Sequence, residues 1–194
     1  MHEQIHNREK LLLAARALFL EQGYEASVDA IVGRAGVARQ TFYNHFKNKE
    51  SLFAETAKDC FRDIIVPLEG EPEDLRASLK TFAQAYRNEA LSAEGVAAYR
   101  TVCSQSPRFP ELVREAYEQG FGRMISRLAA FLDKAMARGY LRRVDSTFAA
   151  ELLAAMALGQ ERTKRLFGLA CEPTDEAAKL DDVIDGFLRM LAIP

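Results

Sequence analysis

One periodicity runs along almost the whole chain and limits what it can become. Apolar residues recur every three or four positions, as on one face of an α-helix, and no stretch alternates as a strand would. Leu11, Leu12, Ala15, Leu18 and Phe19 make the first such face, bracketed by Asn7 as an N-cap and Gly23 just past the end. Ser27 caps a short second helix, Val28 to about Ala35, with Val28, Ile31 and Val32 turned inward. Gly36 permits a sharp turn into a third helix from about Ala38 to His45, and Asn48 caps a fourth carrying Leu52, Phe53 and Phe61.

The segment "PLEGEPEDL" (67–75), with its prolines, glycine and acids, is the clearest boundary. Beyond it Leu75, Leu79, Phe82 and Tyr86 mark a fifth helix, and Val96, Tyr99 and Cys103 a sixth. "SPRFP" (106–110) precedes a long seventh helix to about Arg138, whose face reads Val113, Tyr117, Phe121, Met124, Leu128 and Phe131. Gly139 stops it, Asp145 caps an eighth, and Thr174 with Asp175 and Glu176 starts a ninth, where acids suit the helix dipole. The expected fold is all-α with about nine helices. A three-helix unit over 1–50 is joined to a larger helical bundle over 51–194.

Composition excludes more than it assigns. No window holds eighteen uninterrupted apolar residues, so no membrane span is expected, and "MHEQIHNREK" lacks the apolar core of a secretory signal. Cys60, Cys103 and Cys171 are odd in number and widely spaced, neither a disulfide framework nor a zinc site. The expectation is a reduced, cytoplasmic protein. The histidines are His2, His6 and His45, and no metal spacing, nucleophile elbow or phosphate loop occurs. No catalytic residue, metal or cofactor is expected. The "GFG" at 120–122 reads as a kink or close packing rather than a nucleotide loop. Net charge is −2, and residues 1–50 carry seven Lys/Arg against six Asp/Glu, so charge alone does not advertise nucleic acid.

The third helix says more than the charge. Two short helices around a glycine turn form a helix-turn-helix unit, whose second helix can enter the DNA major groove. Ala38 and Phe42 lie one above the other and can face the first helix, which leaves Arg39 above Tyr43 and Gln40 above Asn44 as two outward ridges. Arg suits guanine and Gln or Asn suits adenine, while Tyr43, His45 and Lys49 lie where they can bond phosphates.

The stretch 11–53 resembles the N-terminal DNA-binding domain of TetR-family repressors along its whole length. The resemblance is carried by Ala14-Ala15, Leu18-Phe19, Gly23-Tyr24, Ser27, Ile31, Ala35-Gly36-Val37, Thr41, Tyr43, His45-Phe46 and Lys47-Asn48-Lys49-Glu50. It implies base-facing positions for Arg39, Gln40, Thr41 and Asn44, and phosphate-facing ones for Ser27, Tyr43, His45 and Lys49. Arg16 and Gly33 depart from the family pattern; at Gly33 the departure costs some helix propensity.

The rest of the chain resembles TetR-family effector-binding and dimerisation domains. "YRTVCSQSPRFPELVREAYEQG" (99–120) and "GYLRRVDSTFAAELLAAMALG" (139–159) are similar to the AefR-like subgroup. The resemblance implies a small-molecule effector among Phe61, Phe82, Tyr86, Tyr99, Arg100, Cys103, Tyr117 and Phe121. Their aromatic character suits a flat or greasy ligand, with an anionic one favoured if Arg100 points inward. The eighth helix is apolar nearly all round and so must be buried on all sides. With the ninth helix it predicts a two-fold, four-helix interface through Leu153, Ala154, Ala157, Val183, Ile184, Phe187 and Leu188. The expected protein is a homodimeric repressor of a palindromic double-stranded operator, released by an effector. Two alternatives stand beside it: a redox sensor working through Cys60 or Cys103, and a helical protein whose head docks a protein partner.

Overall fold

The computed structural model describes residues 2–169 and 176–193, with side chains over 6–169 and 178–193. Cys171, Thr174 and Asp175 lie outside the described residues. The regular structure of the described residues is all helical, without a strand. In order they form α1 (His2–Gln22), α2 (Val28–Ala35), α3 (Arg39–His45), α4 (Lys49–Cys60), α5 (Leu75–Leu91), α6 (Ala93–Gln105) and α7 (Pro110–Tyr117). A π turn (Glu118–Gly122) follows, then α8 (Arg123–Ala137), α9 (Ser146–Leu158), α10 (Glu161–Leu166) and α11 (Glu176–Met190). The helices divide into two compact units, one from Met1–Cys60 with Ala97–Phe121, the other from Phe61–Val96 with Gly122–Pro194.

In the first unit the punctuation is local and readable. Ser27 Oγ accepts from the Ala30 N–H at 3.1 Å and starts α2. Gly36 ends it with φ +64°, and the Val37 N–H reaches back to the Val32 carbonyl at 3.1 Å, the left-handed cap that glycine adopts without strain. Asn48 Oδ1 accepts from the Ser51 N–H at 2.8 Å while Ser51 Oγ accepts from the Asn48 N–H at 3.2 Å, a reciprocal cap for α4. Asn7, expected as the first cap, lies inside α1, because nothing in residues 2–6 breaks a helix. Leu11, Leu18, Ile31, Phe42 and Leu52 fill the core with Phe19, Tyr24 and Phe53. Leu112 and Ala116 of α7 complete it, and Phe109 meets Tyr24 edge-on with ring centroids 5.0 Å apart.

In the second unit α5, α8, α9 and α11 bury Leu79 and Phe82, Leu128 and Phe131, Leu153, and Ile184 and Phe187 together. Asp145 caps α9, its carboxylate accepting from the Phe148 N–H at 2.9 Å. Arg87 of α5 is buried and donates to the Ala157 carbonyl at 2.5 Å and to Glu161 at 2.8 Å, so a charge is held inside the unit with partners for it. Arg76 and Lys80 pair with Asp181 and Asp185 on α11, exposed contacts that add little stability.

The long seventh helix is interrupted. Its buried residues are Leu112, Ala116, Gly120, Met124 and Leu128, while Val113 is half-buried and Tyr117 is 52% exposed. A four-residue spacing repeated over that length drifts about 160° off one face of a 3.6-residue helix. The wider π turn at Glu118–Gly122 absorbs the extra residue. Helix α10 is likewise additional to the expected set, since six residues of largely polar sequence present no repeating apolar face.

Two glycines separate close packing from idle flexibility. A Cβ at Gly95 would collide with the Glu89 carbonyl, whereas one at Gly33 would meet nothing within 4 Å. Gly95→Ala is expected to cost about 1–3 kcal/mol through overpacking. Gly33→Ala is expected to add up to about 1 kcal/mol of helix propensity. Urea titrations of the two variants check both signs.

Candidate nucleic-acid interface

The buried face of α3 sets its exposed one. Phe42 is fully buried and Phe46, just past the helix, nearly so, which fixes the helix about its own axis. Arg39, Gln40, Tyr43 and Asn44 are then exposed, and Thr41 and His45 half-exposed at the edges. Both expected ridges form. The Arg39 guanidinium lies 6.0 Å from the Tyr43 ring centroid, and Gln40 Nε2 donates to Asn44 Oδ1 at 3.2 Å. Ser27 is exposed at the start of α2, its oxygen occupied by the cap but its hydroxyl hydrogen still available to an anion.

Two contacts here are absent from any periodicity argument. Arg39 Nη1 donates to Asp29 Oδ1 of α2 at 2.5 Å, ten residues away across the turn. Tyr43 and then Asp29 push the Arg39 pKa further up, so its charge is permanent. Lys49 does not stand out into solvent. Its Nζ donates to the Tyr24 carbonyl at 2.7 Å and sits 4.1 Å from the centroid of the Tyr24 ring. The Tyr24 hydroxyl in turn donates to Glu50 at 2.7 Å. Burial and then Glu50 push the Tyr24 phenol up, and the same hydrogen bond holds Glu50 below the usual carboxylate range. Lys49 therefore also ties α4 to the turn that follows α1 (Gly23–Glu25), with two ammonium hydrogens left for a phosphate.

The residues expected around an effector divide between the units. Phe82 and Tyr86 are buried on one face of α5 with stacked rings 6.2 Å apart, and half-buried Phe61 belongs to the same unit. Tyr99, Arg100 and Cys103 are exposed on α6 in the other unit, where Tyr117 lies 5.6 Å from half-buried Phe121 between ring centroids.

Of the residues expected at a subunit interface, Leu153, Ala154, Ala157, Ile184 and Phe187 are buried within their own unit, and Val183 and Leu188 are half-buried. The uncovered side of α9 carries Phe148, 62% exposed, with Leu152, Ala155 and Met156. A helix apolar all round has two apolar sides, and its sequence does not say which one its own chain takes.

Among the described residues, none group to hold a metal and no helix is long and apolar enough to cross a membrane. Residues 11–56 match the sequence model of bacterial regulatory proteins of the tetR family. Residues 77–192, more than half the chain, match that of the AefR-like transcriptional repressor C-terminal domain. This chain belongs to the TetR family. Its all-helical fold, with an N-terminal helix-turn-helix, is that of TetR-family regulators of known structure. One is the flavonoid-responsive regulator FrrA, 33% identical, with 95% of this chain and 94% of that one covered and a TM-score of 0.72. A TetR-family regulator from Mesorhizobium loti, 24% identical, shares the fold over 98% of each chain with a TM-score of 0.77. The Tn10 TetC protein of Escherichia coli is 39% identical over 62 residues, 31% of this chain and 29% of that protein, so the match spans under a third of this relative. As a TetR-family transcriptional regulator, the chain has α2, the Gly36 turn and α3 as its DNA-binding helix-turn-helix, the second helix of which carries both ridges.

Proposed function

We propose that this TetR-family regulator is a repressor that binds an inverted-repeat operator as a homodimer and leaves it when a small molecule binds. The observation that carries the reading is the pair of exposed ridges, Arg39/Tyr43 and Gln40/Asn44, on a helix whose opposite face is locked by Phe42. Arg39 reads guanine, and Gln40 and Asn44 read adenine, with Thr41 beside them. Ser27, Tyr43, His45 and Lys49 bond phosphates and set the register. Repression, rather than activation, is supported by the AefR-like repressor match over 77–192.

The second copy covers the outer face of α9, Phe148, Leu152 and Met156, with half-buried Val183 and Leu188 of α11. Two recognition helices then read half-sites about one DNA turn apart, or a multiple of it. The flavonoid-responsive relative FrrA, 33% identical across nearly the whole chain, supports a flat aromatic effector. Such a ligand shifts the population only by its difference in affinity for the bound and released states.

Selection of genomic fragments on the purified protein, followed by anisotropy titration at several salt concentrations, tests the reading. An inverted repeat bound by a dimer with a steep salt slope is expected. Arg39→Ala should relax preference at one base pair by about 1–3 kcal/mol, whereas Tyr43→Phe should weaken all sequences alike. Equal losses for Arg39→Ala on matched and altered sites would remove Arg39 from base reading.

A further inference from the structure

An acid on a surface built to meet phosphates needs an explanation. Asp29, the second residue of α2, is 68% exposed in its side chain and pairs with Arg39, the first residue of α3, itself 57% exposed. An ion pair so open to water contributes little to folding. Beside DNA, its carboxylate opposes every phosphate that approaches it. Its position in the first turn suits the dipole of α2, and from there its carboxylate reaches Arg39.

Reading guanine takes two parallel N–H groups presented in the plane of the base, which a long, freely rotating side chain delivers only after losing rotamer entropy. Arg39 is held on two sides before any base arrives. Asp29 Oδ1 takes a hydrogen from Nη1, and the Tyr43 ring flanks the guanidinium. Asp29 takes only one of the five guanidinium N–H groups, and a guanine would draw on two of the others for O6 and N7. Asp29 also penalises the alternative. When Arg39 swings to a phosphate instead, the carboxylate is left unpaired next to the DNA backbone, a repulsive element of the kind that separates right from wrong partners.

We propose that Asp29 is a specificity-determining positioning residue, which orients Arg39 for one guanine and disfavours non-specific binding by the same carboxylate. The proposal rests on α3 being the base-reading helix.

The test uses full-length protein and three duplexes: the selected operator, the operator with the Arg39-dependent base pair changed, and a random sequence. Asp29→Asn should weaken the operator about tenfold, since part of a bidentate contact's discrimination is lost. It should leave random duplex equal or slightly tighter. In an Arg39→Ala background Asp29→Asn should no longer affect discrimination, and Asp29→Glu should recover part of it. Tighter binding of all three duplexes by Asp29→Asn would overturn the proposal, leaving only phosphate repulsion. So would an unchanged ratio between operator and altered site, in a protein that itself discriminates. A wild-type protein that does not distinguish operator from random duplex would overturn the base-reading assignment and this proposal with it.

Discussion

Phe42→Ala is expected to lower the stability of the DNA-binding unit by about 3–5 kcal/mol and to abolish operator binding. Phe42 is fully buried in the core of this unit, edge-on to Tyr43 and tilted against Phe46 with ring centroids 5.1 and 5.8 Å away. Truncation leaves a cavity beneath the helix that carries both ridges. The chemical groups of Arg39, Gln40 and Asn44 survive, but the axis that aims them does not. Urea unfolding followed by circular dichroism, paired with anisotropy on the operator, separates the two effects. An unchanged denaturation midpoint would contradict the packing described for α3.

On the proposed dimer, Phe148→Asp is expected to separate the two copies while leaving the fold of each intact. Phe148 is the most exposed large apolar side chain of α9, so within one chain its replacement touches little, and surface substitutions usually stay within about 0.5 kcal/mol. Across a subunit interface the same change puts a carboxylate into an apolar contact, with an expected loss of about 2–4 kcal/mol of association, as for a central aromatic anchor. Light scattering after gel filtration should report a monomer of half the mass. Operator affinity should fall with it, because one half-site is then bound at a time. Leu153→Asp gives the contrast: it introduces a charge into the buried side of α9 and should unfold the unit. A Phe148→Asp protein that still runs as a dimer would move the interface elsewhere.

These two variants also mark what was legible in the sequence. Ser27, Gly36, Asn48 and Asp145 were readable as caps because a cap depends on its own backbone within three or four residues. The α3 ridges were readable because helical spacing puts Arg39 over Tyr43 and Gln40 over Asn44. Side choice was not. In α9 nearly every position is apolar, so the pattern could not separate inward Leu153 from outward Phe148. The π turn was hidden for a related reason, since Val113 and Tyr117 fit the helical period as well as Leu112 and Ala116 do. Asp29 reaching Arg39, and Lys49 folding back onto Tyr24, depend on tertiary placement and left no local trace.

The first unit is assembled from two separated stretches of chain, and that has a consequence for its birth on the ribosome. Phe19, Tyr24 and Phe53 emerge early, yet Phe109, Leu112 and Ala116, which close over them, are encoded some fifty residues later. At about 5–20 residues per second the gap lasts roughly 3–10 s. Through that interval the nascent helix-turn-helix has its aromatic cluster open on one side. A transcript cut short before α7 would thus yield a head whose last wall is missing, and its DNA-reading helix would rest on an unfinished foundation.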